Sequence, residues 1–200
     1  MKKIFLIGLT LLSLSSFAQY TTISYSTATP LGGYRDFVAS NSWVGFEAGY
    51  QHMFGEHLAV GFQYKYSKFY EKKDRHTYDF TTDNSVGSIT GVRYSYSFVN
   101  NFNFSLNYIG QTNTSFTPYA GFAIGPTYID NLLIVGILEV DDDTWAFSMT
   151  PQAGLMYSIG PGIALDLKVS YNYIPVKYDD VTAFQALGVA IGFTWSPLLD

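Results

Sequence analysis

Thr90-Gly91-Val92-Arg93-Tyr94-Ser95-Tyr96-Ser97-Phe98-Val99-Asn100-Asn101-Phe102-Asn103-Phe104-Ser105-Leu106-Asn107-Tyr108 is the stretch that decides the fold of this 200-residue chain. Its even positions hold Val92, Tyr94, Tyr96, Phe98, Phe102, Phe104, Leu106 and Tyr108, and its odd positions hold Gly91, Arg93, Ser95, Ser97, Asn101, Asn103, Ser105 and Asn107. A period of two is the signature of a β-strand with one greasy face and one small, polar face. The parity does not slip at Asn100-Asn101, so residues 88 to 109 read as one strand and not as two joined by a turn. At ~3.3 Å per residue such a strand runs ~70 Å, whereas the apolar band of a membrane barrel is ~25 Å tall. The strand is therefore expected to project beyond a membrane.

The same alternation recurs on both sides of this stretch. Upstream, Val44, Phe46, Ala48, Tyr50, His52 and Phe54 oppose Gly45, Glu47, Gly49 and Gln51, and after Gly55-Glu56-His57 the set Leu58, Val60, Phe62, Tyr64 and Tyr66 opposes Ala59, Gly61, Gln63, Lys65 and Ser67. Downstream, residues 117 to 130 place Ala120, Phe122, Ile124 and Tyr128 against Gly121, Ala123, Gly125 and Thr127. Residues 145 to 159 set Trp145, Phe147, Met149, Leu155 and Tyr157 against Ser148, Thr150, Gln152 and Gly154. Two more segments follow, with Leu165, Leu167, Val169 and Tyr171 opposing Asp166, Lys168 and Ser170, and Leu187, Val189, Ile191, Phe193 and Trp195 opposing Gly188, Ala190, Gly192 and Thr194. Tyr20 to Thr29, with Ile23 and Tyr25 on one side, supplies an eighth strand. An even count suits a single-chain barrel, and the connections, of about 12, 3, 16, 7, 14, 3 and 8 residues, alternate long and short as an up-and-down topology requires.

The content of the two faces separates a membrane barrel from a soluble sandwich. The polar face carries Glu47, Lys65, Arg93, Asp166 and Lys168, while the opposite face of the strands carries almost no ionised side chain. A midplane Lys or Arg facing lipid costs ~2–4 kcal/mol, so that avoidance is expected of a wall in hydrocarbon and not of one in water. The five charges are accordingly expected to form a structural ionic cluster in the lumen. Register sharpens this: if Gly55-Glu56-His57 is the turn, Phe54 faces Leu58 and Glu47 lies opposite Lys65. Trp145 and Trp195 have lipid-facing parity at strand ends, the places of interfacial aromatics. Trp43 also lies at a strand end, but its parity points inward.

Composition agrees: 17 Tyr, 16 Phe and 18 Gly accompany only 14% charged residues, an aromatic and glycine-rich balance suited to a barrel. Lys2 and Lys3 precede an apolar run from Ile4 to Leu14, and Ser16 and Ala18 frame Phe17. This is the pattern of a secretory signal peptide, residues 1–18, cleaved after Ala18 and followed by one domain over residues 19–200. Removing Lys2 and Lys3 leaves 9 basic against 16 acidic side chains, a charge of −7. That balance has no footprint for nucleic acid. The chain contains no cysteine, which excludes lipidation at a signal-peptide cysteine, disulfides and thiolate metal sites.

Thr117-Pro118-Tyr119-Ala120-Gly121-Phe122-Ala123-Ile124-Gly125 and the stretch from Gly154 to Tyr173 resemble the fifth strand and the sixth-to-seventh hairpin of small outer-membrane barrels of the OmpX, OmpA-barrel and OmpW kind. Ala123 stands where a third glycine is common, and five residues follow Trp195, whereas these barrels usually end on an aromatic. The resemblance implies an all-β, eight-stranded antiparallel up-and-down transmembrane barrel in the outer membrane of a Gram-negative-type bacterium, with long extracellular connections and short periplasmic turns. The implied partners are outer-membrane lipids and lipopolysaccharide, and the barrel assembly machinery during biogenesis. A monomer with no cofactor and no enzymatic activity is expected, its lumen filled by side chains because eight strands leave little more room. Its role is expected to be structural, or to lie in surface interactions through its loops. An OmpW-like transporter of apolar molecules is the alternative, resting on Leu132, Leu133, Ile134, Val135, Ile137 and Leu138 in the third outer connection.

Catalytic and metal readings have little to stand on. Asp74-Arg75-His76 places a carboxylate two residues from an imidazole, the beginnings of a general base, but no nucleophile accompanies it. The expected setting is a solvated loop over residues 71 to 84, and a rim hydrolase is the least favoured class. His57 falls in a periplasmic turn and His52 at a lipid-facing strand end. Asp141-Asp142-Asp143 and Asp179-Asp180 offer hard oxygen ligands without the spacing of a known calcium loop, so loop tips are expected there and no metal or catalytic residue is assigned.

Overall fold

The computed structural model describes residues 19–82, 85–110, 114–176 and 183–196. The expected signal peptide and the Asp179-Asp180 pair lie outside the described residues. Eight strands follow one another: β1 (Gln19–Leu31), β2 (Val44–Phe54), β3 (Leu58–Thr82), β4 (Ser85–Ile109), β5 (Phe116–Val135), β6 (Leu138–Gly160), β7 (Ile163–Ile174) and β8 (Phe184–Trp195). One short helix, α1 (Tyr34–Phe37), sits between β1 and β2. Each strand pairs antiparallel with the next and β8 closes on β1, so the sheet is a barrel with no edge through its lower half.

The registers fix the strand slope. Paired residues lead from Thr21 through Tyr50, Phe62, Phe104, Ile124, Met149, Tyr173 and Gln185 back to Leu31 on the first strand, ten residues above the start. Ten residues at ~3.3 Å against eight strands at ~4.8 Å give a tilt of about 41°, inside the ordinary range for closed barrels. The exposed face is apolar over that belt, with Phe62, Phe104, Leu106, Phe147, Leu167 and Ile191 all exposed, while Ser105, Thr127, Ser148 and Asn107 are buried on the inner face. This reversal of the soluble arrangement marks the wall as one that faces lipid.

Two connections expected as loops are strands. The stretches of about 16 residues between β3 and β4 and of about 14 between β5 and β6 continue the ladders upward, to Thr82↔Ser85 and to Val135↔Leu138. The charges of residues 71 to 78 and 139 to 143 suggested solvated loops, yet a strand that has left the membrane can carry charge on both faces and keep its pairing. A β-bulge between Lys73 and His76 and a left-handed Gly136 at φ 62° are the irregularities of the two hairpins. β2 reaches only to Val44↔Lys68 and β7 only to Tyr173↔Met149, so β3 to β6 rise alone as a four-stranded sheet. Asp141, Asp142 and Asp143 lie in β6 of that sheet and not at a loop tip.

Trp43 also departs from its parity. It precedes β2 instead of belonging to it, is 67% exposed, and its carbonyl accepts a hydrogen bond from the Tyr25 hydroxyl. Trp145 is exposed beside Tyr128 and Phe102, and Trp195 is exposed beside Phe193 at the opposite end of the barrel.

Candidate functional site

The lumen is layered. At its centre Glu47 on β2 faces Lys65 on β3, their Cα atoms paired as the register demands, with Lys65 Nζ 3.1 Å from Glu47 Oε1. Lys168 of β7 reaches across the barrel to Glu47 Oε2, and Gln63 Nε2 donates to the same oxygen at 3.1 Å. Lys65 also donates to Ser170 Oγ at 3.0 Å, and its ammonium fits because Gly188 has no side chain: a Cβ there would stand 2.6 Å from Nζ. Glu47, Lys65 and Lys168 are all buried. One carboxylate thus holds two cations from opposite walls.

The other two residues of the expected cluster lie elsewhere. Asp166 is buried lower down, paired with Met156 and accepting a hydrogen bond from the Tyr119 hydroxyl at 2.8 Å, and no ion pair involves it among the described residues. Arg93 stands far above. It pairs with Lys73, eight residues beyond the Lys65↔Asn101 rung, so the strand carries it roughly 26 Å away. There its guanidinium donates to Ser95 Oγ and to the Phe37 carbonyl. Sequence parity placed Arg93 on the correct face, but shared parity says nothing of height.

Above the ionic layer, amide and hydroxyl side chains cross-link the walls. Asn101 Oδ1 accepts from Thr127 at 2.9 Å and from Asn172 at 3.2 Å, while below that layer Gln152 donates at 2.9 Å to Asn107, the strand partner of Ala59. The mouth on the side of the tall β3–β6 sheet is then filled by the β1–β2 connection, which folds inward. Tyr34, Phe37 and Val38 are buried among Phe69, Val99, Ile129, Ile174 and Phe184, with the Tyr34 ring 4.5 Å from that of Phe184 and perpendicular to it within 19°. The Tyr34 hydroxyl donates to Ser97 and lies 3.0 Å from Asn131 Oδ1, so its polar tip is satisfied at the inward-facing pair next above Val99 and Ile129. A second apolar layer of Tyr20, Met53, Ala59, Ile109, Met156 and Ala164 lies at the opposite end of the barrel. Between that layer and Glu47 is a polar cavity of about 40 Å³, room enough for water.

This plug went unread in the sequence, although a signal was there. Tyr34, Phe37 and Val38 have the i, i+3, i+4 spacing of one helix face inside an otherwise polar connection. Phe69, Val99 and Ile129 are large apolar residues at inward parity, the positions otherwise held by small or polar side chains.

The catalytic and metal candidates are scattered. His76 is exposed on β3 against Tyr78, His52 packs edge-on against Phe54, and His57 stacks on Tyr108 with its Nδ1 3.0 Å from the Ile109 carbonyl oxygen. Strand geometry sends Asp142 to the face opposite Asp141 and Asp143, and among the described residues no three metal-ligating side chains converge.

No protein-family model matches the chain, and no curated sequence is significantly similar to it. Solved structures are similar in fold. The crystal structure of neisserial surface protein A is 15% identical with a TM-score of 0.59, over 88% of this chain and 96% of that one. Ail, the attachment invasion locus protein of Yersinia pestis, crystallised with the heparin analogue sucrose octasulfate, is 14% identical with a TM-score of 0.52, over 90% of this chain and 99% of that one. At such identities the likeness is one of architecture, and the architecture is that of the eight-stranded transmembrane barrels of bacterial outer membranes.

Proposed function

We propose that the protein is a non-enzymatic, non-conducting outer-membrane barrel whose working part is the four-stranded sheet of β3 to β6 above the membrane. The observation that carries this reading is the plug of Tyr34, Phe37 and Val38 in the outer mouth. With an apolar layer at each end and a cross-linked polar layer between, the lumen serves as a support and not as a route. Among the described residues the sheet it supports has strand edges without a pairing partner on β3 above Lys68 and on β6 before Met149, which suit pairing with an extended segment of a partner. On this reading Leu132, Leu133, Ile134 and Val135 extend the β5–β6 hairpin, paired with Asp141, Val140, Glu139 and Leu138; an OmpW-like transporter of apolar molecules would use the same run as an entry.

Single-channel recording in planar bilayers tests this. The refolded protein is expected to show no unitary conductance, and a variant lacking residues 34–38 is expected to gain at most brief openings. Sustained conductance of the unaltered protein, or uptake of an apolar solute into liposomes that carry it, would replace the support reading with a transport one.

A further inference from the structure

The outward face of the barrel changes character at one height. On β3 the lipid-facing side chains run from Leu58 through Phe62 to Tyr66, and the next is Lys68. Ten residues at ~3.3 Å on a strand tilted by ~41° rise about 25 Å, the height of the apolar band, so Lys68 stands at headgroup level. Lys72 follows four residues higher. Neither ammonium is in an ion pair among the described residues; Lys68 Nζ lies 5.5 Å from the Phe98 ring and 5.8 Å from Tyr96, and Lys72 Nζ lies 5.8 Å from Tyr94. The other flank of the same face is acidic, with Asp130 on β5 and Asp141 and Asp143 on β6.

Two hollows lie along this basic flank. One of about 680 Å³ opens beside Lys68, walled by Trp43, Tyr70 and Tyr96 and edged by Ser40 and Asn41. The other, of about 330 Å³, lies lower on β2 to β4 and reaches Thr21 and Thr22 of β1, within the apolar band, where Ala48 and Gly49 leave a gap among Tyr50, Phe62, Tyr64 and Phe102. Val44↔Lys68 and Ala48↔Tyr64 are rungs of one ladder, four residues apart, so the two hollows are separated by about 13 Å along the strands.

We propose that the two hollows are one seat for a phosphate-bearing lipid of the outer leaflet, with its headgroup at Lys68 and an acyl chain over Ala48. Each half of the seat matches one half of such a molecule. An ammonium without a carboxylate partner, at headgroup level and beside two polar side chains, meets a phosphate. A gap floored by Ala48 and Gly49 and walled by aromatic rings, at hydrocarbon depth, takes a chain and not a water-soluble partner. The carboxylates of β5 and β6 repel phosphate on the far flank and confine the lipid to the β2–β4 side. This seat is on the outer wall and does not rest on the closed lumen proposed above.

Native mass spectrometry of the detergent-purified mature protein tests the seat, with dioleoylphosphatidylglycerol, dioleoylphosphatidylcholine and inorganic phosphate as probes. One phosphatidylglycerol is expected to be retained in preference to phosphatidylcholine, and each of Lys68→Gln and Lys72→Gln to weaken that preference, by up to about fivefold per lysine. Ala48→Leu, which fills the lower hollow, is expected to weaken retention of the dioleoyl lipid but not of its dihexanoyl analogue; Asp141→Asn is expected to change neither. Heat-shifted mobility on gels checks that every variant is folded. Equal retention of the two lipids, indifference to both lysine substitutions, or displacement of the lipid by equimolar phosphate would overturn the proposal.

Discussion

The lower and upper halves of the β3–β6 sheet are the same four strands in two solvents. In the lower half each face has one neighbour, lipid outside and packed side chains inside, and exposure alternates strictly: along β6 from Ala153 back to Phe147, exposed and buried residues take turns. In the upper half β6 meets water on both faces and is exposed at every position from Leu138 to Asp143. The backbone ladder runs through both without a break. Alternation is therefore a record of the environment on each face and not of the strand itself.

The largest expected contrast between the halves concerns their ion pairs. Glu47→Gln leaves Lys65 and Lys168 facing each other in the buried lumen, and a loss of about 3–5 kcal/mol is expected, less to the extent that water from the adjoining cavity reaches them. Lys65→Met and Lys168→Met each leave Glu47 one partner, so each should cost less, and their losses should not be additive. The Glu71–Lys73 pair of the upper half, at 3.8 Å with the lysine 38% exposed, is worth about 0–1 kcal/mol. Urea unfolding in lipid vesicles measures all four substitutions, Glu71→Gln among them. Equal costs for Glu47→Gln and Glu71→Gln would erase the distinction between the two halves.

A smaller contrast is expected for one substitution made twice on one strand. Phe104 and Tyr94 share β4 and share parity, but Phe104 lies in the band and Tyr94 above it. Phe104→Arg should cost about 2–4 kcal/mol, and Tyr94→Arg, which sets a second cation opposite Lys72, no more than about 1 kcal/mol. The same unfolding measurement decides. A large cost for Tyr94→Arg would mean that the bilayer reaches higher up β4 than Lys68 implies.

The division between lipid and water also explains what the sequence made legible. Within the band every inward and outward position followed from parity, and parity with one turn was enough to set Glu47 against Lys65. Above the band, Glu71 to His76 and Glu139 to Asp143 carry charge on both faces, so periodicity faded although the strands continued. Heights across the barrel were not legible either. Neither the contact from Lys168 to Glu47 nor the isolation of Arg93 follows without the ten-residue offset around the ring, which is a property of all eight registers together. The plug was hidden for another reason: Tyr34, Phe37 and Val38 are buried against strands distant in sequence, and no local pattern names those partners.

The smallest effect expected is a pH dependence confined to the upper half. Asp130 lies just beyond Tyr128 and Trp145, directly opposite Asp143, where like charges on paired strands oppose each other. Its carboxyl is held above the usual aspartate range, first by partial burial and then by the nearby charges and hydrogen bond of Asp141 and the charge of Asp143. A raised value means that the folded hairpin binds the proton more tightly than the unfolded chain does, so ionising Asp130 weakens the hairpin. Stability of the β5–β6 tip is accordingly expected to rise as pH falls through the raised value, and to level off below the ordinary value of about 3.9. Hydrogen exchange of the amides from Asp130 to Ile134, corrected for the intrinsic pH dependence of exchange, reads this local opening. Asp130→Asn should remove most of the trend while leaving exchange in the lower half of the same strands unchanged. A trend of equal size at Phe122 and Ile124 would show instead that the whole barrel loosens together, and that the upper sheet is not an energetically separate part of the molecule.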